Sequence, residues 1–600
     1  MRNSPRVVDF VVDFLQRQEV SHVFGVGGAN IEDLYDALHH AQAGPLGVVA
    51  KHEFSAATMA DGYHRASQRV PVIAATSGAG AMNLVPGIAE LRASYVPALV
   101  LIGQPPAALD GRGSFQETSG LAGSIDAARM FAELAVYCVR VDDPESIVRE
   151  LPRALAAATD PAAPGPAVLL LPKDVQQAVI PSWDPPAAVA PAALPLSDAA
   201  ERSRAAALLR AATRRGGVAV IAGEAVARAD ARPQLARLTA ALGAAVAVVP
   251  DAKDVADPRD PGHLGIAGAI GTAEVQEALE RASAVLLAGT RLPQMAGAGL
   301  HEHLKGVPVV CVDPREPFLG AHEELVRLTG PVAAELELLE REVTTAPGPA
   351  TDRPSPGPAA DRPAAGHPAP DRTARHPGPA PRPVRPAAAV PDPATPLDLR
   401  TAALTVAAHL PEGATVVADA GNTGAAAIHH VDVPPGGRFI AALGMGGMGH
   451  SFGAGVGAAF ATGRRTCVIA GDGAFFMHGM EVHTAVEHDL PVTFVVLNNN
   501  AHGMCATREQ LFFSGDYSYN LFRPARIGDG AAAMFPGLAA DTVRTAGELG
   551  AALDRAHATS SPALVCVDVD PTEMPPFRPF RQHVLLTGRG RPVREGAVPG

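Results

Sequence analysis

Short apolar runs ended by glycine or a polar residue recur along this chain, at 23–26, 98–103, 218–222, 244–249, 284–288, 307–312, 415–418, 466–470 and 491–497. Runs this short and this apolar predict strands buried on both faces. Segments of helical period lie between them, as at 477–487, and an alanine- and glycine-rich helix is expected over 451–461. Strand, helix, strand repetition predicts an α/β chain of doubly wound parallel-sheet domains. The N-terminal residues 1–19 read as a charged amphipathic helix without the apolar core of a signal peptide.

Composition divides this pattern into domains. Residues 1–180 form a first unit, and the proline- and alanine-rich stretch 181–200 reads as a linker. Residues 201–343 form a central α/β domain. The following segment, 344–396, mixes Pro, Ala, Gly, Arg and Asp without hydrophobic periodicity and is expected to be disordered. A third domain is expected over 397–580, with a tail at 581–600.

Hydrophobic residues make up 47% of the chain and mean hydropathy is +0.11, which fits a large globular protein. Net charge is −13 with no long basic cluster, so nucleic acid and anionic membrane are not expected partners. Five cysteines, Cys138, Cys311, Cys467, Cys505 and Cys566, are widely spaced and odd in number, as in a reducing compartment without structural zinc. No apolar run is long enough to cross a membrane. A cytoplasmic enzyme is the expectation.

The richest chemistry lies between Gly471 and Met504. Gly471, Asp472, Gly473 and Ala474 follow one predicted buried strand, and Asn498, Asn499, Asn500 close the next. Neighbouring parallel strands would present Asp472 and Asn499 at their carboxyl ends, where doubly wound sheets bind ligands. A hard carboxylate oxygen, an amide oxygen and a turn carbonyl near Ala501 suit magnesium completed by phosphate oxygens and water. Gly471 and Gly473 let backbone amides approach phosphate beside a helix N-terminus. The alternative is a tight turn with polar residues in solvent.

This spacing resembles the metal and diphosphate motif of the thiamine-diphosphate-dependent enzymes, and the segment Leu497, Asn498, Asn499, Gly503, Met504 resembles the acetolactate synthase group. The resemblance implies that Asp472, Asn499 and the Ala501 carbonyl hold Mg2+. It extends to Lys51, His52, Glu53 and the helix after them, where Glu53 matches the family glutamate that shares a proton with the cofactor aminopyrimidine. Residues 74–83 resemble the glycine-rich turn beside the pyrimidine, which makes Thr76 and Asn83 cofactor-binding candidates. The chain departs from the usual pattern at Gly27 and Ala79, where many relatives carry proline.

In the C-terminal part, Met448 within Gly446, Gly447, Met448, Gly449 matches the apolar residue that bends the cofactor, although methionine also fills gaps in cores. Asp419, Ala420, Gly421, Asn422 and Thr423 follow the run at 415–418 and are diphosphate candidates, with Gly503 and Met504 after the asparagine cluster. The order of domains implied is pyrimidine-binding, central, diphosphate-binding. A cofactor between the first domain of one subunit and the third of another implies a homodimer or homotetramer, and a regulatory subunit is a possible partner. The central domain binds FAD in some members and nothing in others. Gly223 and the cluster Gly265, Gly268, Gly271 would either approach a dinucleotide or make turns.

The acetolactate synthase group joins the two-carbon unit from decarboxylated pyruvate to a second 2-oxo acid. Ser114, Phe115, Gln116, Glu117 resembles a segment of those enzymes, so Gln116 is a candidate contact to the reacting group. Lys173 matches a lysine at their active-site mouth and would attract a substrate carboxylate, unless it is merely a solvated charge. Arg508 stands where a tryptophan is usual, and guanidinium there suits a carboxylate, phosphonate or sulfonate. It would otherwise face solvent or pair with Glu509. The segment 507–513 is a candidate lid. His450 and His502 are either proton carriers or structural hydrogen-bonding residues. The expected activity is decarboxylation of a 2-oxo acid with carboligation to a second carbonyl compound. The alternative is a non-carboligating decarboxylase of an anionic substrate of the phosphonopyruvate or sulfopyruvate kind.

Overall fold

The computed structural model describes residues 5–180, 189, 192–345, 391–395, 397–515, 517–570 and 572–587. Most of the two stretches expected as linkers, and the end of the expected tail, lie outside the described residues.

The framework is three six-stranded sheets in which every strand pairing is parallel. The first holds β1 (His22–Gly25), β2 (Leu46–Val49), β3 (Val72–Ala75), β4 (Ala98–Gln104), β5 (Tyr137–Arg140) and β6 (Pro166–Pro172), in the order 2-1-3-4-6-5. The middle sheet holds β7 (Val218–Ala222), β8 (Ala245–Val248), β9 (His263–Ile266), β10 (Ala284–Ala288), β11 (Val309–Val312) and β12 (Leu325–Leu328), in the order 9-8-7-10-11-12. The third holds β13 (Thr415–Ala418), β14 (Arg438–Ala441), β15 (Thr466–Gly471), β16 (Val492–Asn498), β17 (Ala539–Val543) and β18 (Ala563–Asp568). Its order, 14-13-15-16-18-17, repeats that of the first sheet.

Helices cover both faces of each sheet, so central strands such as β4, β6 and β16 are buried from end to end. Strand order reverses between β1 and β3, between β7 and β10, and between β13 and β15. Crevices at the carboxyl ends of those pairs are where such sheets take ligands.

Helix Val7–Arg17 buries Val7, Val8, Phe10, Val11, Phe14 and Leu15, as its amphipathic pattern predicts. Three departures concern boundaries. Helix Ala199–Thr213 starts within the expected first linker, helix Val332–Thr344 runs into the expected second, and helix Arg578–Thr587 occupies the start of the expected tail.

A fourth departure is the helix expected over 477–487, which is broken into Asp472–His478, a 3-10 turn at Gly479–Glu481, and Val482–Glu487. The break has a packing cause. A side chain at Gly479 would begin 2.4 Å from the Phe475 ring, and buried Glu481 is drawn to the Lys51 amide, which it accepts at 3.2 Å.

The first and third domains of the same chain pack through helices Glu53–Ser67 and His450–Thr462. Their backbones approach so closely that a side chain at Gly62 would begin 1.9 Å from the Ala454 carbonyl oxygen, and one at Gly457 1.9 Å from that of Met59. Glycine is required there because only it leaves the space. One apolar cluster runs through this contact, joining Met59 and Tyr63 to Phe452, Val468 and Phe494. The opposite face of the third sheet shares a second cluster with the middle domain.

Candidate active site

In the third domain, register pairs Gly471 with Leu497, so β15 and β16 end side by side. Asp472 opens helix Asp472–His478 and Asn499 follows β16. Asp472 Oδ2 and Asn499 Oδ1 both accept the Ala501 amide at 3.1 Å, which brings the two oxygens together. Burial pushes the Asp472 carboxyl up to about 6, against the opposing pull of the Gly473 and Ala501 amides. A buried carboxylate that no lysine or arginine among the described residues pairs with suits a metal ion. Among the described residues no three His, Cys, Asp or Glu side chains cluster as metal ligands. An ion held by this single carboxylate would need phosphate oxygens to complete its coordination.

The turns around it leave room for a diphosphate. Gly421 has φ +82° and Gly446 φ +67°, and at both positions the space a side chain would occupy is open. Asn422 donates Nδ2 to Thr507 at 3.0 Å while its buried Oδ1 has no hydrogen-bond partner among the described residues. Thr423 Oγ1 faces Gly471. The Met448 methyl lies 3.0 Å from where a side chain at Gly473 would start, with the His502 ring beside it, and Ala474 is buried. Gly503, at the head of helix Gly503–Phe512, is in contact range of Asn499 and Asn422, and Met504 follows it. Gly421, Asn422, Thr423, Met448, Gly471, Asp472, Gly473, Asn499, Ala501 and Gly503 therefore meet in one place. The residues fit a diphosphate with its metal.

In the first domain, Glu53 opens helix Glu53–Ser67, and the preceding His52 caps it by accepting the Phe54 amide at 3.1 Å. The Glu53 side chain is nearly buried and accepts Asn83 Nδ2 at 2.9 Å. A side chain at Gly80 would begin 3.0 Å from Glu53 Oε1. Thr76 Oγ1 donates to Gln116 Oε1 at 3.3 Å, and Gln116 holds a left-handed φ of 62°. Glu53, Thr76, Asn83 and Gln116 thus form a second group at the reversal between β1 and β3. Among the described residues no hydrogen bond joins the two groups. One link is Phe54, whose ring centroid lies 4.4 Å from that of His478 and whose ring is 3.5 Å from where a side chain at Gly447 would start.

Other candidates lie differently. Lys173 Nζ donates to the Ala29 carbonyl at 2.7 Å and pairs with Glu32 at 2.5 Å, so its charge is held within the first domain. Arg508 is exposed, with its guanidinium over the Phe512 ring at 5.4 Å. It does not pair with Glu509, which accepts Asn520 Nδ2 at 2.6 Å. The segment 507–513 is mostly the second half of helix Gly503–Phe512, anchored through Thr507. His450 is buried against Asp61 at 2.8 Å, a structural pairing, and His502 packs edge-on to Phe522.

Sequence reasoning offered Asp419 for the diphosphate rather than as a clamp, and it missed Tyr35. Asp419 accepts the Gly449 amide and the Ser451 amide at 3.0 Å each, clamping the segment after Met448. The Tyr35 hydroxyl is buried without a hydrogen-bond partner among the described residues, and burial together with the charge of Glu53 raises its pKa. An aspartate directly after a strand was a signal for the first. Nothing local marks the second.

In the middle domain, the glycines that the sequence offers to a dinucleotide are packed against the protein itself. At its reversal between β7 and β10, a side chain at Gly223 would begin 2.5 Å from Thr290 Cβ, and Gly289 abuts the Val226 amide. The mouth is occupied by Arg315, paired with Asp313 at 3.0 Å and lying 3.9 Å from the ring centroid of Tyr95, a first-domain residue. Gly265, within β9, faces Thr272, while Gly268 and Gly271 face the Met295 carbonyl and the Gly268 carbonyl in the loop after it.

Known proteins share this layout. Residues 5–123, 202–339 and 419–567 match models of the N-terminal TPP binding domain, the central domain and the C-terminal TPP binding domain of thiamine pyrophosphate enzymes. The chain is 26% identical over 579 residues to a probable acetolactate synthase large subunit of Methanocaldococcus jannaschii, covering 95% of this chain and 93% of that protein. It is 28% identical over 577 residues to the acetolactate synthase isozyme 2 large subunit of Escherichia coli, covering 94% and 95%. A solved structure of a putative thiamin diphosphate-dependent enzyme from Mycobacterium smegmatis superposes with TM-score 0.76 at 21% identity, covering 94% of this chain and 100% of that one. The thiamine diphosphate-dependent 4-hydroxybenzoylformate decarboxylase of Rhodococcus jostii RHA1 gives TM-score 0.75 at 20% identity, covering 94% and 99%, and these two likenesses bear on the fold. With all three domains matched in order, the chain belongs to the thiamine pyrophosphate enzymes and is acetolactate synthase-like.

Proposed function

We propose that this chain catalyses thiamine diphosphate- and Mg2+-dependent decarboxylation of a 2-oxo acid and joins the remaining acyl unit to a second carbonyl compound. The observation that carries this reading is the convergence of Asp472 and Asn499 on the Ala501 amide beside open glycine turns. When bound, thiamine diphosphate supplies a nucleophilic carbon and a sink for the electrons released by decarboxylation.

The chain's own residues do the rest. Asp472, Asn499 and the Ala501 carbonyl would hold Mg2+, and amides at Gly471 and Gly473 would take the diphosphate with Asn422 and Thr423. Glu53 would hold a proton at the aminopyrimidine ring nitrogen, kept in position by Asn83. Met448 would support the cofactor's bend, and Gln116 would contact the reacting group. Packing of apolar residues around the site excludes water and holds both carbonyl partners in one orientation. The two groups of residues belong to one site completed by a second copy of the chain, in a homodimer or homotetramer of the cytoplasm. Acetolactate synthase large subunits are the relatives, so a regulatory subunit is a candidate partner.

The test is to supply purified chain, thiamine diphosphate and Mg2+ with pairs of 2-oxo acids and identify products by mass spectrometry. A product containing both carbon skeletons less one carboxyl group is expected. A simple aldehyde as the sole product rejects carboligation. The second reading, decarboxylation of an anionic 2-oxo acid without carboligation, is favoured by exposed Arg508, which has no carboxylate partner among the described residues. The same screen with phosphonate- and sulfonate-bearing acids decides it.

A further inference from the structure

The segment carrying Met448 is gripped at both ends by acidic side chains of the first domain. On the N-terminal side, Glu90 accepts three successive amides, those of Gly444 at 3.1 Å, Met445 at 2.5 Å and Gly446 at 3.3 Å. Successive backbone amides turned to one point form a concave anion site, and here the anion is the protein's own carboxylate. The fit is close: a side chain at Gly444 would begin 2.7 Å from Ala93 Cβ and 3.0 Å from Glu90 Oε1.

On the C-terminal side, His450 Nε2 meets Asp61 Oδ2 at 2.8 Å, with both side chains almost fully buried. Arg65 joins the two grips, since its Nε donates to Asp61 at 2.9 Å and its Nη2 lies 3.9 Å from Glu90. Burial opposes ionisation of Asp61, but Arg65 and His450 hold it well below the usual carboxylate range. Glu90 and Asp61 are far from Met448 in sequence, yet they border its turn on either side. Neither has a place in the proposed chemistry.

We infer that Glu90 and Asp61 are positioning residues of the first domain that set the Met448 turn in the third, so that docking of the two domains fixes the geometry at the cofactor's rings. The consequence for catalysis rests on the function proposed above; the grip itself does not.

Hydrogen exchange of the chain without cofactor tests the grip. Glu90→Ala is expected to accelerate exchange at 444–451 while leaving the asparagine turn at 498–501 unchanged, and Asp61→Asn to act in the same direction around His450. Unchanged exchange at 444–451 in both variants overturns the inference.

A double-mutant cycle tests the consequence. Glu90→Ala is expected to lower kcat roughly 10- to 100-fold, the scale of a small misplacement of a reacting group. In a Met448→Ala background the same change should have little further effect, because it acts through that residue. Fully multiplicative losses, or a lowered Tm with kcat intact, would show Glu90 to be structural only and overturn the inference. A wild-type chain that binds no thiamine diphosphate in calorimetry defeats the proposed function instead, and the exchange experiment then decides the grip alone.

Discussion

Asn83 Nδ2 donates to Glu53 Oε2 at 2.9 Å, fixing the one carboxyl group of the first-domain cluster that points into its glycine-rich turn. Glu53→Gln preserves this shape and removes the proton site. It is expected to lower kcat by about 10²- to 10⁴-fold, the usual weight of an acid–base group, with Tm nearly unchanged. Steady-state kinetics beside a thermal melt checks this, and a variant with wild-type turnover would remove Glu53 from the chemistry.

Asp472 is the only acidic side chain in the proposed metal set. Asp472→Asn keeps an oxygen for the Ala501 amide and removes the charge. Thiamine diphosphate binding measured by calorimetry with Mg2+ is expected to weaken at least about tenfold, and a chelator is expected to have a like effect on wild type. Binding indifferent to both treatments would mean that no metal anchors the diphosphate here.

The contact between helices Glu53–Ser67 and His450–Thr462 tolerates no Cβ at Gly62, where the Ala454 carbonyl would be 1.9 Å away. Gly62→Ala should therefore destabilise the chain by about 1–3 kcal/mol or more, despite the better helix propensity of alanine. Denaturant unfolding measures it, and a stabilised variant would contradict this packing.

His64 is buried, and burial lowers its pKa to about 4, partly offset by the Arg69 carbonyl at 3.0 Å from Nδ1. Between about pH 6.5 and 4 the unfolded chain binds this proton and the folded chain does not, so the ring's contribution to stability is lost as pH falls through that window. His64→Gln should show a shallower loss of stability from pH 6.5 to 4.5 than wild type in urea titrations. Identical slopes would mean the ring is not held neutral.

Filling of the middle-domain crevice by Arg315 and Tyr95 predicts a purified chain free of flavin absorbance. Flavin released in stoichiometric amount on denaturation would show that the crevice opens.

Central strands such as β4 and β15 were legible because a strand covered on both faces must be apolar throughout, as at 466–470 and 98–103, though β3, β6 and β18, buried in the same way, were not read as strands. Edge strands such as β2 and β17 were not, since β2 is a mostly uncovered run of only four residues and Asp541 and Thr542 interrupt β17 where it is exposed. The asparagine turn, the Asp472 turn and Glu53 stood out as candidates because each is local: a few residues whose spacing suggests the chemistry.

Partnerships between distant segments were not. Nothing around Glu90 predicts that it accepts the amides of Gly444–Gly446, nothing in His450 names Asp61, and the glycines of 265–271 look alike whether they face a ligand or their own loop. The sequence alone determined half of the strand cores and the chemical groups at each glycine turn, because burial and local spacing act over a few residues, and resemblance to a known family supplied the domain order. Tertiary structure decided which helices cross, which carboxylates serve as clamps and which crevice is closed, because those depend on distances of a few ångströms between segments hundreds of residues apart.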